Sequence, residues 1–241
     1  MIAGLTTYNI KDIIDTVEHP CVYVFFDTCA LLHLLKIETH QSNSNVNIFA
    51  HYEELYNLIH EGKVIALASI MNYIELESNY NSICQDFGAK YNKTIKYAQP
   101  IINLAHDKGK IAEVIDFNSL SVLEYAKDLY NRITLEIKYL KERLCYDRFA
   151  MIRVKQSIVP AHKKHEYKDA YIWKTCLDVK SKSKKNDYII FFTTNTEDFV
   201  PDEGTEAKEQ LIRDCGKKVK IITNINALIP KLKIKLGMPL T

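Results

Sequence analysis

A three-layer α/β/α sandwich around a mostly parallel sheet is the fold this sequence predicts. Two observations predict it: short apolar runs rich in β-branched and aromatic residues recur along the chain, and segments of helical period lie between them. A strand buried on both faces reads as a continuous apolar run, whereas an interleaved helix shows one apolar stripe.

The first run is Cys21-Val22-Tyr23-Val24-Phe25-Phe26, which stops at Asp27. Val64 to Ala68, Tyr188 to Phe192 and Val219 to Ile222 are the other three runs, each followed by a polar residue or turn. Ala50 to His60 carries Tyr52, Leu55, Tyr56, Leu58 and Ile59 at helical spacing, and Tyr167 to Val179 carries Ala170, Trp173, Cys176 and Leu177. Alternation of this kind favours right-handed crossovers between parallel strands. The stretch from Asn79 to Gln156 interrupts it. Its longest pattern, Leu120, Leu123, Ala126, Leu129, Tyr130, Ile133, Ile137, Leu140, Leu144, predicts one long helix capped at Asn118 or Ser119. Gly109 separates that helix from an earlier one over Asn81 to Asp107. The expected organisation is a single domain over 1–241 with a helical insertion or subdomain at about 79–156, whose Leu123, Leu129, Ile133, Ile137 and Leu140 form its core.

At 241 residues and 47% hydrophobic composition the chain can bury a sizeable core. The 32 basic and 30 acidic residues leave a net charge of +2, so electrostatic arguments rest on local clusters. Six scattered cysteines, with no CxxC pair, read as reduced thiols. No apolar run approaches the ~20 residues of a membrane-spanning helix, and the amino terminus lacks a signal-peptide pattern, so a soluble, cytoplasmic protein is expected.

In open α/β sheets ligands bind beyond the carboxyl ends of the strands. Asp27 ends the first strand, Ser69 to Glu75 leads off the second, and Asn195 and Asp198 follow the third. Asp169 joins them because its position before Trp173 and Cys176 puts it on the inward face of its helix, where an unpaired carboxylate costs several kcal/mol. Carboxylates gathered together repel one another unless a multivalent cation compensates, and an all-oxygen donor set suits Mg2+ or Mn2+. Such an ion fits phosphodiester hydrolysis.

These residues resemble a known family. Asp27-Thr28-Cys29-Ala30-Leu31-Leu32 after a strand, Ser69 with Glu75-Leu76, Asp169-Ala170-Tyr171-Ile172, and Thr193-x-Asn195-x-x-Asp198-Phe199 follow the order of the PIN-domain nucleases. Those include the ribonuclease toxins of bacterial toxin-antitoxin pairs and RNA-processing nucleases. The resemblance covers roughly 21–76 and 165–225 and implies Mg2+- or Mn2+-dependent hydrolysis of single-stranded RNA by Asp27, Glu75, Asp169 and Asp198 as metal ligands. Thr193 and Asn195 then shape the loop and orient an attacking water. Asn195 stands where the family often carries an acid, and the chain exceeds the compact toxins by its middle segment.

Each residue also has a plainer reading. Asp27, Asp169 and Asp198 are good turn or helix-start residues, and Glu77 rivals Glu75. His162 and His165 follow Pro160 at a helix entry and suit solvent or RNA better than a metal. Between Ala161 and Asn186 eight lysines face only Glu166, Asp169 and Asp178. Either this is a solvated face, or Lys163, Lys164 and Lys168 attract a phosphate backbone while Tyr167 or Tyr171 stacks on an unpaired base.

Two rival functions share the fold: a structure-specific DNA nuclease, and a non-catalytic module that binds nucleic acid or protein. A phosphatase with Asp27 as nucleophile is disfavoured, because Cys29 stands where its second acid belongs and no glycine-rich phosphate loop exists. RNA, with DNA as alternative, is the expected substrate. An antitoxin or other protein, or a second copy of the chain, is the expected partner, in a toxin, defence or processing role.

Overall fold

The computed structural model describes residues 5–36, 48–110, 122–162, 166–200 and 202–239. Six strands form one sheet: β1 (Thr7–Tyr8), β2 (Val22–Phe26), β3 (Ile65–Ser69), β4 (Lys138–Leu140), β5 (Tyr188–Phe192) and β6 (Val219–Ile222). Their order is β1-β4-β3-β2-β5-β6, and every neighbouring pair is parallel. The helices are α1 (Ile10–Thr16), α2 (Thr28–Leu32), α3 (Ile48–His60), α4 (Ile70–Asp107), α5 (Val122–Glu136), α6 (Leu144–Lys155), α7 (Tyr167–Lys182), α8 (Thr196–Phe199), α9 (Glu206–Cys215) and α10 (Ile225–Leu236).

Side chains alternate across a strand, so each central strand feeds two cores. Val22, Val24 and Phe26 of β2 pack with Ile190 and Phe192 of β5 under α3, α5 and α10 through Leu55, Leu129 and Leu228. Tyr23 and Phe25 face the opposite way with Ile189 and Phe191, under α1, α7 and α9 through Ile13, Trp173 and Leu211. The Trp173 ring meets Phe191 edge-on at 5.0 Å, and its indole N–H donates to Asp214 at 3.0 Å, so its polar atom is satisfied inside the core. Two apolar layers around one parallel sheet make the predicted three-layer sandwich.

The middle of the chain departs from expectation. The single long helix divides: α5 stops at Glu136, β4 follows at Lys138–Leu140, and α6 begins at Leu144. Tyr139 and Leu140 pair with Ala68 and Ser69 of β3 on one side and with Thr7 and Tyr8 on the other. An apolar run this short satisfies either period, and the open edge of β3 decides in favour of a strand. The leucine stripe divides accordingly: Leu129, Ile133 and Ile137 enter the core beneath α3, whereas Leu140 enters the other. It therefore serves the main domain, not a core of its own. The earlier helix is present and begins sooner, at Ile70, and Gly109 follows it with φ +62°. The expected cap at Asn118 or Ser119 lies outside the described residues.

Candidate metal centre

Four elements deliver acids to one place. The ladder positions Asp27: its N–H donates to the Phe192 carbonyl at 2.9 Å, continuing the β2–β5 pairing by one residue. Its Oδ1 accepts from the Thr28 N–H at 2.8 Å and caps α2, while Oδ2 accepts from the Thr193 hydroxyl at 2.6 Å. Asp27 is thus a helix cap, as its plainer reading held, with its carboxylate also lining the cavity described below.

Ser69 ends β3 and caps α4, and the Asn72 side chain reaches back to the Ser69 N–H at 2.7 Å to complete a capping box. That box sets the start of α4, so Glu75 falls one and a half turns in, facing the sheet edge. Asn72 is fully buried and donates to the Thr28 hydroxyl at 3.0 Å, and Thr28 donates to Glu75 Oε2 at 2.6 Å. Lys168 Nζ lies 3.1 Å from Glu75 Oε1. Both oxygens of Glu75 are therefore oriented, whereas Glu77 is exposed and lines a different cavity.

Asp169 comes from the first turn of α7, and Asp198 from the short α8. Asn195 caps α8 and joins these two acids, its amide donating to Asp169 Oδ2 at 3.1 Å and to Asp198 Oδ2 at 3.0 Å. Asp198 Oδ1 is buried and accepts no hydrogen bond from the described residues; His162 Nδ1 stands 4.0 Å away.

Asp27, Glu75, Asp169, Asn195 and Asp198 line one open cavity of about 380 Å³, together with Cys29, Lys36, Glu166 and Glu197. Burial pushes the Asp27 and Asp169 carboxyls above the usual carboxylate range, and charge on neighbouring acids raises them further, while the Thr193 hydroxyl partly offsets this at Asp27. A family model described as PIN domain matches residues 24–199.

The chain belongs to the PIN domain family. PIN domains form a nuclease-type family, and the match covers all four acids. Comparison with curated proteins and with solved structures returns no match. Among the described residues no three His, Cys, Asp or Glu side chains already stand in a metal-holding group. The donors nonetheless suit a hard divalent cation: an all-oxygen set, two acids raised by burial and mutual repulsion, and a buried Asp198 oxygen with no donor among the described residues.

The remaining expectations divide. Tyr171 is 2% exposed and meets Tyr146 edge-on at 5.5 Å, so it is a core residue and cannot stack on a base. Tyr167 is half-buried and its hydroxyl donates to Asp147. Lys168 stays 47% exposed while paired to Glu75. Lys163, Lys164 and His165 lie outside the described residues. Thr193 and Asn195 spend their donors on the acids, which leaves them orienting carboxylates in place of the expected water. Asn72 supports the site, and in the sequence only the Ser69-x-x-Asn72 spacing at a strand end signals it.

Proposed function

We propose that this PIN domain is an Mg2+- or Mn2+-dependent endoribonuclease that hydrolyses single-stranded RNA at the cavity holding Asp27, Glu75, Asp169 and Asp198. The observation that carries this reading is the convergence of four acids, from four separate elements, on one cavity at the carboxyl edge of a parallel sheet. Asp27, Asp169 and Asp198 would hold the cation, with Glu75 directly or through water. When bound, the ion supplies Lewis acidity toward a phosphodiester oxygen.

The residues around the acids do the rest. Thr193 fixes Asp27, the Asn195 amide holds Asp169 beside Asp198, and Thr28 and Lys168 fix Glu75. Fixing the ligands in advance spares reorganisation when substrate arrives. Six acids line the cavity with Lys36, so a phosphate approaches only once a cation offsets their charge. Lys168 at the rim then draws the RNA backbone.

The experiment incubates wild-type protein and Asp27→Asn with labelled single-stranded RNA, its DNA counterpart and both duplexes, with Mg2+, Mn2+ or chelator. Metal-dependent cutting of single-stranded RNA, lost in the variant, is expected. Cutting of DNA alone would replace RNA with DNA as substrate. Binding without cutting under any metal would favour a non-catalytic module.

A further inference from the structure

Glu77 stands on the face of α4 turned away from the acid cavity, and it borders a second cavity of about 350 Å³ between α4, α5 and β4. Four tyrosines line this cavity with it: Tyr73 and Tyr80 from α4, Tyr130 from α5 and Tyr139 from β4. They form two ring pairs. Tyr73 meets Tyr139 edge-on at 5.5 Å and 80°, and Tyr80 lies against Tyr130 at 5.2 Å and 35°. Tyr130 and Tyr139 are buried, Tyr73 and Tyr80 half-buried, and Glu77 is exposed at the mouth.

An aromatic ring carries negative charge on its face, so several rings around one space favour a cation, and most of all one whose hydration shell is weak. The carboxylate at the mouth adds to that field. Lys127, whose charge reaches Tyr80, is itself paired with Glu124 at 2.8 Å. Burial first, then the neighbouring tyrosines, then the charge of Glu77 push the Tyr130 and Tyr139 hydroxyls up, which leaves these two rings neutral.

We infer that Tyr73, Tyr80, Tyr130, Tyr139 and Glu77 form a binding site for an alkylated ammonium group, separate from the acid cavity of the proposed nuclease. The space accommodates a headgroup of choline size or the end of a methylated lysine side chain. The walls come from α4, α5 and β4, so an occupant ties α5 and β4 to the helix that carries Glu75.

Calorimetric titration of the full chain tests this with choline and with dimethylbutanol, its neutral isostere, which differs only in carbon for charged nitrogen. A peptide carrying trimethyllysine forms a third arm and separates a free amine from a protein side chain as the source. Saturable choline binding is expected, weakened roughly 2- to 30-fold in the isostere and in Glu77→Gln. Tyr80→Leu, which keeps apolar volume at a half-exposed position, should weaken choline similarly while leaving the isostere unchanged. Equal binding of choline and isostere, binding unaffected by both substitutions, or no saturable binding of choline or peptide would each overturn the assignment.

Discussion

Asp169 sits where burial and four neighbouring acids, Asp27, Asp198, Glu166 and Glu75, oppose its charge. Its carboxyl is pushed up to about 8 and that of Asp27 to about 6, both from an ordinary 3.8. The sign follows from linkage. A carboxyl raised on folding contributes stability that is present below its unfolded value and lost as pH rises through the folded one. The metal-free protein should therefore lose stability between about pH 4 and pH 8. Asp169→Asn removes the charge but keeps an acceptor for Asn195, so in chelator at pH 8 its melting temperature should exceed wild type, by about 2–4 °C per kcal/mol recovered. Melting curves in chelator across that pH range check this; an unchanged or lower value for the variant would mean that the acid is not held against its preference.

Thr28 makes a different case at the same scale. Its hydroxyl passes a fixed donor direction from buried Asn72 to Glu75. Thr28→Val keeps the shape and breaks that chain, so cleavage should fall roughly 10- to 100-fold, the melting temperature should drop by a few degrees because buried Asn72 loses its acceptor, and Thr28→Ser should restore both. Rates measured on all three proteins decide the matter. Asp27 was legible because it ends a strand, Glu75 and Asp198 because they lie on the segments that lead off two others, and Asp169 because it falls on its helix's inward face. Thr28 and Asn72 were not singled out, because a support residue declares itself only through the partner that folding brings to it.

Among the elements, β2, β3, β5 and β6 were legible as apolar runs between turn residues, and α3 and α7 as striped helices. The stretch around β4 is not legible as a strand, because Ile137 to Leu140 satisfies helical spacing as well as a short strand does and only the neighbouring β3 edge distinguishes them. The consequence is measurable. Leu129 and Ile133 on α5 pack into the core shared with β2 and β5, so the middle segment should melt with the rest of the domain. Leu129→Ala leaves a cavity costing about 2–5 kcal/mol. Calorimetry should show a single transition displaced downward as a whole; a new, separate low-temperature transition would restore the independent helical subdomain.

At the scale of the molecule, one pair ties the turn before β2 to the turn before β5, far apart in the chain and adjacent in the sheet. His19 Nδ1 meets Asp187 Oδ1 at 2.8 Å, and its Nε2 meets the Ile14 carbonyl at 2.9 Å. The Asp187 hydrogen bond raises His19, with the Ile14 carbonyl adding to it. Burial opposes the Asp187 carboxylate, but hydrogen bonds from His19, Cys21 N and Lys184 N hold it below its ordinary value. His19 thus contributes fully below about pH 6.5 and loses its contribution as pH rises through its raised value. Asp187 contributes above about pH 4 and loses its contribution as pH falls through its lowered one. The pair is at its strongest between those limits. In His19→Gln the deficit in melting temperature should be largest near pH 5–6 and shrink as pH rises through the raised His19 value; a deficit constant across pH would assign His19 a packing role alone.

The acid cavity joins these scales, and the most direct test of it is a calorimetric titration of Mn2+ into wild-type protein, Asp27→Asn and Asp169→Asn at pH 7.5. Saturable binding that releases protons in the wild type, and falls at least about tenfold in each variant, is the predicted result. No saturable binding, or equal affinity in all three proteins, would contradict the assignment of these carboxylates to a divalent cation.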